Sequence, residues 1–336
     1  MPKVTKVAFV GSGGMAEAHY RPLSQMKDVK VVGFCDVDLE KARSMAERAG
    51  ARAFLDAAEM MDAVAPDAVY FCLPPFAHGA EMDAIHRGIP FIVEKPIGLD
   101  IELTRRIAEA AKRRKLVTCA AYMNRYHRSV QQVHKLLQDD PAILALGGWI
   151  GGTPRARGGT GIWTWWVQKD KSGGQFHEQV THTVDLARFF CGEAEEVFAY
   201  KAEGFNTDVP PKYSMEDASV VNIRFRSGAI ANLWASCSAN AGGGGVSLNV
   251  FASDTTALFT GWDHSVRLMR KGKDIVEIKG HSDIFSVEDG AFIKAVRTGD
   301  QSAVMSSYPD GLKTLEITVA ANKSMETGKP VAIAAL

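Results

Sequence analysis

The chain is short of cysteine, has no long apolar run and carries no net charge, and each shortage closes off a class of function. Five cysteines in 336 residues (Cys35, Cys72, Cys119, Cys191 and Cys237) are odd in number, scattered, and never spaced Cys-x-x-Cys. Buried, reduced thiols are expected rather than a disulfide framework. No stretch approaches the uninterrupted apolar length of a membrane span. The first residues, Met1-Pro2-Lys3-Val4-Thr5, run straight into a strand pattern without the apolar core of a leader. A cytoplasmic location is therefore expected. Lysine and arginine total 39, as do aspartate and glutamate. That balance gives no electrostatic reason for nucleic acid or an anionic membrane as partner.

What is present reads as two domains, about residues 1–122 and 123–336. In the first, β-prone runs at Lys6–Val10, Val29–Cys35, Ala68–Leu73 and Phe91–Val93 alternate with helical patterns at Ala16–Met26, Leu39–Ala49 and Ile101–Lys115. Alternation of this kind predicts an α/β, doubly wound parallel sheet with helices on both faces. After about Asn124 the pattern changes. A helix over Val130–Gln138 and another from Gly174 to Phe190 precede a series of strand runs, with Arg226-Ser227-Gly228 as a hairpin turn. Helices return at Val287–Thr298 and Gly311–Thr327. This half predicts an α+β domain with an open, mainly antiparallel sheet. Helices cover one face of such a sheet and the other needs water or a partner, so a homo-oligomer, dimer or tetramer, is expected.

The motif with most chemical content is Gly11-Ser12-Gly13-Gly14-Met15-Ala16, a G-x-G-x-x-A between the first strand and first helix. Glycines there let the backbone turn tightly and approach a pyrophosphate, and the helix N-terminus offers unpaired N–H donors. Asp36, twenty residues beyond Ala16 at the end of the second strand, can accept ribose hydroxyls and would repel a 2′-phosphate. Arg43 is the nearest downstream arginine. NAD is expected as cofactor, in preference to NADP. Two later strand ends are candidates for the nicotinamide side: Cys72-Leu73-Pro74-Pro75-Phe76-Ala77-His78, with His78 in a packing role, and Glu94-Lys95-Pro96.

With these pieces in place the chain resembles the glucose–fructose oxidoreductase / inositol dehydrogenase / rhizopine-catabolism family, often called Gfo/Idh/MocA. The likeness covers nearly the whole chain. It rests on Gly11–Ala16, Asp36, the Pro-rich turn with His78, Glu94-Lys95-Pro96, and Gly173-Gly174 followed by His182 and Asp185. It implies a Rossmann domain, then an open-sheet α/β domain that holds substrate and forms oligomers. It also implies an NAD-dependent oxidoreductase working on a carbinol carbon of a sugar, inositol or related polyol. A lysine of the Glu-Lys-Pro segment and a histidine of the second domain form the family's catalytic pair, and Lys95 and His182 match them. Many members carry Asp four residues before that histidine; this chain has Glu178, one methylene longer.

On one continuous helix, Glu178, His182 and Asp185 would share a face, with Val180, Val184 and Ala187 on another. Ser172 and Gln175 fit a capping box, and Gly173 and Gly174 leave room for a ligand near the backbone. His177 and His182 are five apart, the wrong spacing for a shared zinc, so no metal is expected. In this reading His182 takes the hydroxyl proton and Lys95 hydrogen-bonds the same oxygen. Glu178 or Asp185 orients the imidazole or passes the proton outward. Trp163, Trp165 and Trp166 offer faces for a sugar ring, with at least one of them core. Arg125 touches substrate or bridges the domains, and Arg155 and Arg157 bind an anion or are merely solvated. Two other readings compete: an NAD-dependent glycosidase or eliminase that oxidises its sugar transiently, and a non-catalytic dinucleotide sensor.

Overall fold

The computed structural model describes residues 4–151, 163–207, 209–239, 241–281 and 283–336. The chain divides into two compact units. The first takes Met1–Met123 and Asp283–Leu312, the second Asn124–Ser282 and Lys313–Leu336.

In the first unit the elements run β1 (Thr5–Val10), α1 (Gly14–Gln25), β2 (Val29–Cys35), α2 (Leu39–Ala49), β3 (Arg52–Phe54) and α3 (Ala57–Val64). They continue with β4 (Ala68–Phe71), α4 (Glu81–Arg87), β5 (Phe91–Val93), α5 (Ile101–Arg113) and β6 (Thr118–Ala120). The six strands pair in parallel in the order β3-β2-β1-β4-β5-β6. Helices on both faces leave the central strands no wet side. Val7, Phe9, Ala68, Tyr70 and Ile92 are accordingly buried as near-continuous apolar runs. Strand order reverses between β1 and β4, and in such sheets ligands bind outside the carboxyl ends at that point.

Aspartate starts α2, α3 and α5. Asp38 accepts from the Glu40 N–H, Asp56 from Glu59, and Asp100 from both Glu102 and Leu103. Gly50 ends α2 in the left-handed conformation, φ 61°, as its place just past the helical pattern predicts.

The second unit contains α6 (Arg128–Leu136), β7 (Leu144–Ile150), α7 (Trp163–Trp166), α8 (Lys169–Ser172), α9 (Gly174–Glu178) and α10 (Thr181–Cys191). Then come β8 (Ala194–Ala202), β9 (Ala218–Phe225), β10 (Ile230–Ser236), β11 (Gly245–Phe251), β12 (Thr255–Thr260), β13 (Ser265–Arg270) and β14 (Val276–Ile278). With β15 (Val331–Ala332) they form a sheet in the order β14-β13-β12-β11-β7-β10-β9-β8-β15. Among the described residues every neighbouring pair is antiparallel except β7 and β10. Side chains alternate along the strands. In β9, Val221, Ile223 and Phe225 enter a core with Val184, Ala187 and Phe190 of α10. Val220 points the other way, on the face that also carries Tyr200, 66% exposed, and Ile230, 53% exposed.

The chain crosses from the first unit to the second after Met123 and later returns to the first. Helix α11 (Ile284–Thr298) belongs to the first unit, where Phe292, Ile293 and Ala295 join its core. The division falls again within α12 (Tyr308–Thr327). An amphipathic pattern predicts a helix but not the sheet it packs on, which is why the return was invisible. No helix among the described residues is long and apolar enough to cross a membrane.

Asp100→Ala removes an acceptor for two N–H groups at the start of α5. It should cost about 1 kcal/mol, read as a lower urea midpoint at unchanged slope; an unchanged midpoint would show that the cap contributes nothing.

Candidate active site

The fingerprint loop leaves β1 with Gly11 at φ 92°. A Cβ at Gly11 would run into the carbonyl of Cys72 at the end of β4, so only glycine passes there. The Gly11 N–H closes on the Cys35 carbonyl at 2.7 Å. The Ser12 N–H donates to Asp36 Oδ2 at 2.8 Å, and Asp36 Oδ1 accepts from the Asp38 N–H at 2.9 Å. The acid is thus held against the glycine loop that the sequence pairs it with. A Cβ at Gly13 or Gly14 would meet nothing, and both residues and Met15 are exposed at the start of α1. No side chain caps that helix, and the buried Ser12 Oγ has no hydrogen-bond partner. An open, uncapped helix start with a spare hydroxyl fits a pyrophosphate. Arg43 is paired with Glu40 at 2.7 Å.

The two later strand ends differ in character. Leu73 and Pro74 lead from β4 into a short 3₁₀ turn, Pro75–Ala77. His78 Nδ1 then meets Glu81 Oε1 at 2.6 Å, both side chains buried, while the Gly79 N–H binds Glu81 Oε2. Burial works to raise the Glu81 pKa, but His78 and the backbone donors outweigh it and leave the carboxyl below its ordinary value. His78 is therefore held in place by the Glu81 carboxylate. Burial, with the charges of Glu94 and Asp289, pushes the Cys72 thiol well above its ordinary pKa, so it is no nucleophile. At the end of β5, Glu94 was expected on the cofactor side. Its carboxylate instead turns inward, with Oε1 3.0 Å from His19 Nε2 and Oε2 accepting from the Lys95 N–H at 3.0 Å. Lys95 is half-buried and is followed by the buried Pro96. His19 and its second partner Asp289 were missed. They stand 270 residues apart, and no local pattern links them.

In the second unit the expected continuous helix from Gly174 is broken between α9 and α10. The Val180 N–H reaches back to the Gln175 carbonyl, five residues away, which inserts one residue into the turn. The insertion separates Glu178 from the stripe expected to hold it with His182 and Asp185, which remain together on α10. Glu178 Oε2 accepts the Trp166 indole N–H at 2.7 Å. His182, 5% exposed, lies against the edge of Trp262 with ring centroids 5.9 Å apart, and Trp262 against Trp149 at 4.7 Å. Trp262 sits some 80 residues downstream in the turn before β13, too far for sequence to connect it.

Asp185 does not serve His182. Arg125 Nε and Nη2 grip its two oxygens at 2.7 and 2.6 Å, and Thr314 Oγ1 donates to Oδ1 at 2.8 Å. Arg125 also lies over the Phe189 ring. Both partners are buried, so the Asp185 carboxylate, expected as a proton relay, is held in an internal ion pair with Arg125. Trp166 is core, 1% exposed, with Trp163 and Trp165 packed on the same cluster. The capping box is corrected too. Ser172 Oγ accepts from the Gly174 N–H, while Gln175 Nε2 turns to Gly151 and Gln179. Gly173 and Gly174 sit at φ 77° and 86°, and a Cβ on them would crowd the side chains of His177 and Glu216. Arg155 and Arg157 lie outside the described residues.

Comparison with known proteins settles the kinship. Residues 5–122 match the model of an oxidoreductase family with an NAD-binding Rossmann fold, and residues 151–257 match the GFO/IDH/MocA C-terminal domain. The chain belongs to the Gfo/Idh/MocA oxidoreductases. It is 25% identical to myo-inositol 2-dehydrogenase of Thermotoga maritima, over 97% of this chain and 98% of that one. Two solved structures share the fold. Levoglucosan dehydrogenase with NADH has TM-score 0.87 at 18% identity, covering 98% and 99% of the two chains. The myo-inositol 2-dehydrogenase of Lactobacillus plantarum has TM-score 0.80 at 23% identity, over the same shares. NAD is thus the family's cofactor, and the residues fit it: Gly11, Ser12, Gly13, Gly14 and Met15 at the helix start, and Asp36 beside them.

Removing one partner of a buried ion pair leaves the other uncompensated. Arg125→Met should cost about 3–5 kcal/mol, and adding Asp185→Leu should return most of it. Chemical denaturation of the two variants checks this. Equal stability of the single variant and the unaltered protein would contradict the structural role.

Proposed function

We propose that this oxidoreductase moves a hydride between NAD and a carbinol carbon of a sugar, inositol or related polyol. The observation that carries the reading is His182, nearly buried yet edge-on to Trp262, which is itself 47% exposed. An imidazole titrates near neutrality and suits the removal of a hydroxyl proton. An exposed indole beside it offers an apolar surface for the C–H face of a ring-shaped polyol. The inositol dehydrogenases among the relatives support the same substrate class.

Bound NAD supplies the hydride chemistry, and the protein's share is orientation and proton handling. His182 accepts the hydroxyl proton. The Lys95 amine donates a hydrogen bond to the oxygen and stabilises its developing charge. Glu178, steadied by the Trp166 N–H, keeps the negative charge that many relatives supply with aspartate. Trp163 and Trp165, both half-buried, line the substrate side. Leu73, Pro74, Pro75, Cys72 and Pro96 form apolar walls toward the nicotinamide.

The enzyme is a homo-oligomer in this reading. The outer sheet face presents Tyr200, Val220 and Ile230 to solvent, an apolar patch of the kind that marks a protein contact. All five cysteines are unpaired, which fits a reducing, cytoplasmic setting.

His182→Ala should lower turnover about 10²–10⁴-fold while NAD affinity stays the same. Steady-state kinetics with a polyol panel and nucleotide titration check it. Lost NAD binding with intact turnover per bound cofactor would refute the base assignment. Val220→Arg should reduce the mass seen by light scattering to that of one chain, and an unchanged mass would exclude this face as the contact.

A further inference from the structure

His19 lies on α1, whose first turn carries the dinucleotide loop, and its ring is fully buried. Both ring nitrogens face carboxylates: Nδ1 is 2.7 Å from Asp289 Oδ1 on α11, and Nε2 is 3.0 Å from Glu94 Oε1 at the end of β5. Tyr70 of β4 and Phe285 of α11 pack edgewise on the ring, at 5.2 Å each. Burial alone would lower the His19 pKa, but the charges and hydrogen bonds of Asp289 and then Glu94 hold it well above the ordinary value. Three ionisable groups out of water are costly unless each is paired.

The second oxygen of Glu94 shows what the arrangement accomplishes. It accepts the N–H of Lys95. One carboxylate therefore binds His19 through one oxygen and the peptide carrying the Lys95 side chain through the other. We propose that His19 positions Lys95: acting through Glu94, it ties the segment bearing the reactive amine to the helix that receives the dinucleotide, with Asp289 as the anchor behind it. Small errors in placing a reacting group are expensive, since a misplacement of about 1 Å lowers rate about 10²-fold. The chain thus uses a buried imidazole as a spacer between cofactor and amine. This inference rests on the proposed role of Lys95.

Glutamine and asparagine separate the two hydrogen bonds of the imidazole. In His19→Gln the amide nitrogen takes the place of Nε2 and still donates to Glu94. In His19→Asn it takes the place of Nδ1 and donates to Asp289 only. If His19 acts through Glu94, His19→Asn lowers kcat about 10- to 100-fold with unchanged NAD affinity, and His19→Gln restores most of it. Hydrogen exchange read by mass spectrometry gives a second measure without turnover. The peptide spanning Glu94–Gly98 should exchange faster in His19→Asn than in His19→Gln, with other peptides of the sheet unchanged. Equal behaviour of the two variants in both measurements, or kcat losses that merely follow lost thermal stability or lost NAD binding, would overturn the proposal. Lys95→Met provides the control. Intact turnover in that variant removes the proposed role of Lys95 itself, whereas an inactive Lys95→Met beside a fully active His19→Asn removes only the part given to His19.

Discussion

The passage of the Gly11 backbone against the Cys72 carbonyl is the constraint on which the rest depends. It holds the ends of β1 and β4 so close that no side chain fits between them. β2 pairs with β1 and β5 with β4, so one contact fixes where four strands end. Asp36, the Cys72–Pro75 turn and the Glu94-Lys95-Pro96 segment all follow those ends. A parallel sheet gathers such ends at one edge because every strand points the same way, and its helices shield the strands from water. Function is concentrated there by topology before any particular side chain is considered.

Charge inside the protein falls into two kinds. Arg125 with Asp185, and His19 with Glu94 and Asp289, are buried and hydrogen-bonded to one another. Their value lies in fixing elements far apart in sequence, since breaking such a set strands a charge out of water. His182 and Glu178 have aromatic neighbours: the Trp262 ring packs edgewise with His182, and the Trp166 indole N–H donates to Glu178.

The architecture was legible because its signals are local. Period-two burial in β9, aspartate at the helix starts and glycine after α2 each act within a few residues. The dinucleotide loop was legible for the same reason, since Gly11–Ala16 and Asp36 are one strand–helix–strand unit. What misled was spacing carried across a helix that is not continuous. The extra residue at Val180 takes Glu178 off the stripe that His182 and Asp185 share on α10, and Asp185 itself pairs with Arg125. What stayed hidden was long-range pairing: Trp262 beside His182, His19 beside Asp289, and the return of α11 to the first unit. Those pairings are set by tertiary packing, to which no pattern within one segment refers.

The proposed activity requires hydride transfer from a carbinol carbon to NAD. Its most direct test follows an isotope: polyols deuterated at their carbinol carbons, myo-inositol among them, are incubated with the enzyme and NAD, and the nucleotide is then weighed by mass spectrometry. Reduced nucleotide one mass unit heavier is expected with at least one substrate of the panel. Release of a leaving group from a glycoside, with no labelled NADH accumulating, would contradict it.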